Sequence, residues 1–184
     1  KNPEYARVAR ETLDYVLSQM TDPAGGFYSA EDADSVDPED PAEKKEGAFF
    51  LWKKEEIEKL LGPEDAAILE FFYGVTLAGN AVSDPHHEFE NKNVLYRAQT
   101  VETAVAFFKM TEYEITQSLD GSRKVLLDAR ARRPKPYRDD KILTDWNGLM
   151  IEALALASSV LEEKRYLEAA SRAAEFIFQK LKDG

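Results

Sequence analysis

The stretch NGLMIEALALASSVL, residues 147–161, carries a single charged residue, Glu152, and decides the fold class. A helix that is apolar on nearly every side is normally buried all round. The next predicted helix, residues 165–182, has one apolar and one polar stripe, so it is expected to be half exposed. A buried helix followed by a half-exposed helix is the unit of a two-layer helical ring. The sequence therefore predicts a mainly α fold built as a ring of helical hairpins.

Five further helices are predicted upstream from apolar periodicity and from capping residues. They cover residues 3–20, 53–61, 64–73, 100–109 and 112–133, and Thr111 and Glu114 give the last one capping-box spacing. The segment that starts at Tyr5 resembles the one that starts at Tyr166, which indicates a repeat. A closed ring needs more hairpins than this chain supplies. Residues 1–184 are therefore interpreted as a single domain, the N-terminal part of an incomplete ring.

The composition limits the classes of partner. The 184 residues include 24 Lys and Arg against 35 Asp and Glu, a formal net charge of −11. Nucleic acid is not expected as a partner, because phosphate binding needs clustered cations. No run approaches the ~18 apolar residues of a transmembrane helix, so no membrane contact is predicted. The chain contains no cysteine and thus no redox pair of its own, and a cytoplasmic location is expected.

An acidic, aromatic loop, GGFYSAEDADS at residues 25–35, follows the first predicted helix. A polar stretch with two prolines comes next, and then the apolar run GAFFLW at 47–52, which suits a strand. Residues 27–30 and 49–52 are interpreted as the arms of a small inserted β-hairpin with the acidic stretch as its tip. Residues 75–96 are predicted to form a long loop, a feature that in a compact domain usually serves function or lacks order.

Four sequence blocks, taken in order, resemble one protein family. They are GGFYSAEDADS at 25–35, EGAFFLW at 46–52, GN at 79–80 with DPH at 84–86 and NVL at 93–95, and RPKPYRDDKILTDWNGLMI at 133–151. Together they are similar to the YyaL-like, thioredoxin-domain-containing proteins of the spermatogenesis-associated protein 20 type. The resemblance implies an (α/α)6 toroid akin to six-hairpin glycosidases and to N-acylglucosamine 2-epimerase, of which this chain is the first part. It also implies a thioredoxin-like domain upstream, outside this chain.

The acidic loop supplies the first candidate site. Asp32 and Asp34 are candidate catalytic carboxylates, and Phe27, Tyr28 and Glu31 are candidate substrate-binding residues. Paired carboxylates beside aromatic rings suit sugar chemistry, because one acid can protonate a leaving oxygen while the other serves as base or nucleophile. The alternative interpretation is a solvated turn whose Asp and Ser side chains bond the local backbone. Residues 37–46 are interpreted as a solvated tip.

The segment before the apolar helix supplies the second candidate site. Asp139 and Asp140 are candidate catalytic residues, and Lys141, Trp146 and Asn147 are candidate substrate-binding residues. In a helical ring, the loops that lead into the inner helices line one mouth of the central cavity. This segment is therefore expected to form a pocket wall opposite the acidic loop. The alternative is that the acids cap the helix and that Arg138 and Lys141 pair with neighbouring carboxylates.

Several other chemistries are disfavoured. The acids that begin at Asp32 start an EF-hand-like string, but Asp37 replaces its turn glycine, so no metal site is predicted. His86 and His87 are adjacent and are interpreted as loop residues rather than metal ligands. Asn80 is interpreted as holding a turn. The sequence has no phosphate-binding glycine loop or dinucleotide fingerprint, so no cofactor is predicted.

The leading hypothesis is a carbohydrate-processing domain related to glycosidases and epimerases. It would bind a sugar-like small molecule in a carboxylate-lined cleft, and whether it is an enzyme, such as a glycoside hydrolase, is left open. The alternatives are a non-catalytic binding or scaffold module attached to the thioredoxin-like domain of the same full-length chain, and a purely structural toroid. An incomplete ring leaves apolar helix faces uncovered, so the isolated chain is expected to self-associate.

Overall fold

The computed structural model of the chain describes residues 2–81 and 89–181. The chain divides into two units: unit 1 is Lys1–Asp32 with Arg138–Gly184, and unit 2 is Ala33–Tyr137. Helices dominate both units, and the short strands of the described residues form three two-stranded antiparallel sheets. The mainly helical class predicted from the sequence is confirmed, whereas the toroid stays a prediction.

The described residues contain seven helices and six strands. In chain order the helices are α1 (Pro3–Gln19), α2 (Lys54–Leu61), α3 (Pro63–Tyr73), α4 (Val101–Phe108), α5 (Glu112–Arg130), α6 (Thr144–Leu161) and α7 (Lys164–Phe176). A π-helical turn, Ile177–Leu181, follows α7 directly. The strands are β1 (Ala30–Glu31), β2 (Asp34–Val36), β3 (Lys44–Glu46), β4 (Trp52–Lys53), β5 (Lys92–Asn93) and β6 (Arg138–Asp139).

Capping side chains fix where the predicted helices begin. Asn2 caps α1 by accepting a 2.9 Å hydrogen bond from the Glu4 backbone N–H, and Pro3 follows as the first helical residue. Thr111 and Glu114 form the predicted capping box, in which each side chain accepts from the other residue's backbone N–H. The helix starts read from the sequence are therefore confirmed here, although α5 ends at Arg130 rather than at 133.

Unit 1 has a core built from its three helices and one loop residue. Leu13 and Val16 of α1 pack with Phe27, with Leu154 of α6 and with Tyr166 of α7. Small residues of α7 let the helices approach closely; they are Ala169, Ala170 and Ala173. This core holds the loop that follows α1 against the α6–α7 pair.

The expectation that the apolar helix is buried all round is wrong. Only Asn147 and Leu154 of α6 are buried, while Leu149 and Leu156 are 68% and 65% exposed. The reason is that α7 and α1 cover one side of α6 within unit 1. An apolar strip on α6 is therefore left at the surface.

Unit 2 is centred on α3, which is buried on two sides. Leu69 belongs to a cluster with Ile57 of α2 and Leu126 of α5. Ile68 belongs to a second cluster with Ala104, Ile115 and Leu119 of α4 and α5, and with Phe72. The two clusters thus share one helix, which explains why α3 has apolar residues on two of its sides.

The predicted hairpin arms are also wrong. The hairpin is formed by β2 and β3, with Asp34 opposite Glu46 and Val36 opposite Lys44, so it lies inside the stretch interpreted as its tip. Residues 27–30 and 49–52 do not pair with each other, because β1 pairs with β6 and β4 pairs with β5. Strands this short take their partner from the surrounding fold rather than from the neighbouring run of sequence.

Part of the predicted loop 75–96 is ordered by two asparagines. Asn93 is fully buried and bonds the backbone of Thr76 and Trp52, and Asn80 donates to the carbonyls of Gly74 and Val94. Asn80 therefore holds a turn, as predicted. The histidine pair at 86–87 and the DPH block at 84–86 lie outside the described residues. Among the residues that are described, no helix is both long and apolar enough to cross a membrane.

Candidate functional site

The two sequence motifs with candidate site residues meet in unit 1 as neighbouring strands. β1 and β6 are antiparallel, with Ala30 opposite Asp139 and Glu31 opposite Arg138. This pairing joins the loop after α1 to the segment that leads into α6. The acidic, aromatic loop and the RDDK segment are thus brought side by side by backbone hydrogen bonds.

Tyr28 and Arg138 form the centre of this arrangement. The Arg138 guanidinium lies 4.1 Å from the centroid of the Tyr28 ring, and its Nη1 donates to the Gln19 carbonyl at 2.9 Å. The Tyr28 hydroxyl donates to Oδ2 of Asp22 at 2.8 Å. That hydrogen bond, together with burial, raises the pKa of Tyr28, so the hydroxyl stays protonated and donating. The sequence indicated Arg138 only as a partner of neighbouring carboxylates, and its contacts with the Tyr28 ring and the Gln19 carbonyl were not predicted.

The two acids of the second motif differ in environment. Asp139 accepts from Nζ of Lys141 at 2.9 Å and from the Lys141 backbone N–H at 3.2 Å. These two hydrogen bonds lower the pKa of Asp139, so its carboxyl group is ionised at neutral pH. Ser29 anchors the same residue by donating to its backbone carbonyl at 3.3 Å. Asp140, by contrast, is exposed.

The Asn147 side chain connects the acidic loop to α6 by hydrogen bonds. Its Oδ1 accepts from the Phe27 backbone N–H at 2.7 Å, and its Nδ2 donates to the carbonyls of Phe27 and Leu143 at 2.9 Å each. Asn147 is 1% exposed, and the Phe27 ring belongs to the core of unit 1. Both side chains are thus used by the fold in this structure, and their assignment to substrate stays a prediction.

Two glycines explain why the loop can lie so close to the helices. Gly25 has a φ of +116°, and a Cβ there would lie 2.9 Å from the Arg172 carbonyl oxygen. A Cβ on Gly26 would lie 2.9 Å from side-chain atoms of Ile142 and Phe176. Only glycine fits both positions without a shift of the neighbouring atoms. The GG pair therefore sets the position of the aromatic residues that follow it.

The remaining predicted residues are distributed over both units. Trp146 is 51% exposed at the start of α6, and Glu31 accepts a hydrogen bond from the Tyr15 hydroxyl. Asp32 is the exposed last residue of the first segment of unit 1. Asp34 begins β2 and belongs to unit 2, opposite Glu46. Three of the four predicted catalytic carboxylates, at positions 32, 139 and 140, thus belong to the same unit.

Within the part of the chain that the structure describes, no group of three or more His, Cys, Asp or Glu side chains could hold a metal ion.

The interpretation of residues 37–46 as a solvated tip is wrong for Asp37. Asp37 is 2% exposed, and its carboxylate contacts Nζ of Lys45 at 2.9 Å and Nζ of Lys92 at 3.4 Å. Burial raises its pKa, but the Glu39 backbone N–H and the two lysines outweigh this effect and lower the pKa to about 2. The residue types alone do not distinguish Asp37 from the exposed acids beside it.

Arg133 connects several segments of unit 2. In the sequence it was named only as the first residue of the family block at 133–151. Its Nη1 donates to the carbonyls of Phe49 and Leu51 at 2.9 and 2.7 Å, and its Nη2 donates to both carboxylate oxygens of Glu56 at 2.9 and 2.8 Å. The guanidinium also lies 4.0 Å from the Trp52 ring centroid. Forked, stacked contacts of this kind need arginine rather than lysine.

The chain is similar over almost its whole length to proteins of several animals. It is 37% identical over 185 residues to spermatogenesis-associated protein 20 of Homo sapiens, covering 94% of this chain and 23% of the relative. The Mus musculus protein of the same name is 34% identical over the same shares. An uncharacterized protein of Caenorhabditis elegans is 37% identical over 191 residues, covering 100% of this chain and 26% of the relative.

The chain thus spans about a quarter of the length of these relatives. No family model matches it. The similarity supports the spermatogenesis-associated protein 20 family that the sequence motifs predicted, whereas the thioredoxin-like domain and the toroid stay predictions.

Proposed function

We propose, on the basis of this similarity, that the chain is the first part of an (α/α)6 toroid of the carbohydrate-processing type. In this proposal unit 1 contributes a carboxylate-lined binding site for a sugar-like small molecule. The observation that carries it is the β1–β6 pairing, which puts Glu31 beside Arg138 and Ala30 beside Asp139. Two acidic motifs that are distant in sequence thereby share one strand pair.

The chemistry of these side chains suits a polyhydroxyl ligand. Carboxylates accept hydrogen bonds from hydroxyl groups, and Asp139 is held ionised by Lys141 while Asp140 is exposed to a ligand. Trp146 offers a half-exposed ring beside them in sequence, on which the apolar face of a sugar can stack. The Tyr28 hydroxyl donates to Asp22 and its ring is contacted by Arg138, so Tyr28 supports this arrangement rather than offering a free donor.

The lowered pKa of Asp139 restricts its role in any catalytic version of this proposal. A general acid needs a raised pKa, so Asp139 suits a base, a nucleophile or a hydrogen-bond acceptor instead. The proton donor of a glycosidase mechanism would then be another predicted carboxylate of unit 1, Asp32 or Asp140. The same observation favours the second candidate, a non-catalytic binding module that acts together with a thioredoxin-like domain.

A ligand screen on the full-length protein and on the 184-residue chain tests the proposal. Isothermal titration with mono- and oligosaccharides measures binding, and a reducing-sugar assay measures hydrolysis. We expect Asp140→Asn and Trp146→Ala to abolish sugar binding, and the exposed Glu168→Gln on α7 to leave it unchanged. Asp34→Asn extends the test to the acid that belongs to unit 2.

The outcomes separate the candidates. Binding with hydrolysis that Asp140→Asn removes supports an enzyme, and binding without hydrolysis supports a binding module. Absence of binding by any sugar to the full-length protein, or equal binding by all variants, contradicts the proposal. The expected cytoplasmic location is part of the same proposal and is tested by fractionation of cells that express the full-length protein.

A further inference from the structure

Unit 2 contains a cavity that is separate from the residues discussed for unit 1. Its volume is about 400 Å³, within the range of small-molecule sites. The apolar part of its wall is formed by Ala48 and Leu51, which are both buried. Pro38 also contributes apolar surface, and the charged remainder of the wall comes from the β2–β3 turn, from β4, α2 and β5, and from Arg133.

Most of the charged groups of the wall are already paired. Arg133 is bound by Glu56 and by two carbonyl groups, and Lys53 pairs with Glu39 at 2.7 Å. Asp37 pairs with Lys45 at 2.9 Å. These groups line the cavity, but little of their hydrogen-bonding capacity is left for a ligand.

Three charged groups of the wall retain that capacity. The side chains of Glu55 and Lys59 make no hydrogen bond or ion pair within residues 2–81 and 89–181, although both lie on α2 four positions apart. Side chains at this spacing project from the same face of a helix. Lys92 has a 13% exposed side chain, and its Nζ, which has three donors, makes a single 3.4 Å contact with Asp37.

We propose that this cavity binds a zwitterion of the α-amino acid class with an apolar side chain. The ligand carboxylate would contact Lys59 and Lys92, and the ligand ammonium would contact Glu55. The neighbouring opposite charges of an α-amino acid match the i, i+4 spacing of Glu55 and Lys59 on one helix face. The ligand side chain would cover Leu51 and the adjacent Ala48, which gives it an apolar surface to bury.

Titrations of the 184-residue chain with L-leucine and with its two half-charged analogues test this assignment. The analogues are 4-methylpentanoate, which lacks the ammonium, and 3-methylbutylamine, which lacks the carboxylate. We expect saturable binding of leucine and binding of each analogue that is weaker by about tenfold or more, because each loses a charge-assisted hydrogen bond. Nuclear magnetic resonance shifts of the α2 amides locate the binding.

Two variants assign the contacts. Glu55→Gln should weaken leucine binding about tenfold and leave 4-methylpentanoate binding unchanged. Lys59→Met should weaken the binding of leucine and of 4-methylpentanoate and leave 3-methylbutylamine binding unchanged. Both residues are exposed, so folding should persist, and the exposed Glu64→Gln at the start of α3 is the matched control. Equal binding of all three compounds, no saturable binding of leucine, or unchanged affinities in both variants overturns the assignment.

Discussion

Asn147 offers the sharpest test of how the acidic loop is held. Asn147→Ala removes three hydrogen bonds, to the Phe27 N–H, the Phe27 carbonyl and the Leu143 carbonyl. Each such bond contributes about 0.5–1.5 kcal/mol net, and a buried group left without a partner costs more. Because Asn147 is 1% exposed, water cannot replace it easily. We expect a loss of about 2–4 kcal/mol in the free energy of unfolding of unit 1.

Two measurements check this expectation. Urea unfolding followed by circular dichroism gives the free energy, and a loss of about 3 kcal/mol corresponds to a Tm lowered by about 12–24 °C for a unit of roughly 60–100 residues. Hydrogen exchange gives a local readout, because the Phe27 amide loses its acceptor and should exchange faster. Ser159→Ala on the exposed side of α6 is the matched control and should change stability by less than about 0.5 kcal/mol.

The refuting result is specific. If Asn147→Ala costs less than about 0.5 kcal/mol and the Phe27 amide keeps its protection, the loop is held by other contacts and the fold role of Asn147 is wrong. A large destabilisation without faster exchange at Phe27 would also contradict the reasoning, because the cost would then come from elsewhere in α6.

Three further predictions concern other parts of the molecule. Arg133→Met should lower the free energy of unfolding of unit 2 by about 2–3 kcal/mol, because Glu56 and the Trp52 ring lose their partner. Arg133→Lys should recover little of this loss, because lysine cannot donate two parallel hydrogen bonds to one carboxylate. Urea unfolding measures both variants. The pKa of Asp37 is lowered from 3.8 to about 2, so its ionised form contributes about 2 kcal/mol above pH 3.8, and this contribution is lost as the pH falls towards 2. The stability gap between wild type and Asp37→Asn should accordingly shrink across that window, and a constant gap would contradict the assignment. We expect the isolated chain to self-associate through the exposed strip on α6; Leu156→Glu should lower the mass in sedimentation equilibrium, and an unchanged mass would exclude this face.

Local signals explain which parts of the fold could be predicted. The starts of α1 and α5 follow from Asn2 with Pro3 and from Thr111 with Glu114, because a cap acts on N–H groups within three residues. These features need no knowledge of the rest of the chain. Asn80 is less local, because its partners Gly74 and Val94 lie 6 and 14 positions away in sequence.

Non-local contacts explain what the sequence could not show. Phe27 is followed by residues that suit a strand, but its backbone is bonded by Asn147, 120 positions away, and β1 pairs with β6. Residues 27–30 alone give no indication that β6 is the strand that pairs with β1. The burial of Asp37 has the same cause, since Lys45 and Lys92 compensate its charge only after the hairpin and β5 have formed.

The division of the acidic loop between the two units changes what its carboxylates can be expected to do. Asp32 ends the first segment of unit 1, and Ala33 begins unit 2, so Asp32 and Asp34 are neighbours in sequence that belong to different units. A sugar site on unit 1 can therefore stand without Asp34, because it draws on Asp140 and Trp146. Sugar binding that is lost in Asp140→Asn and kept in Asp34→Asn would assign the site to unit 1 alone. Loss of binding in Asp34→Asn would contradict the assignment of the site to unit 1.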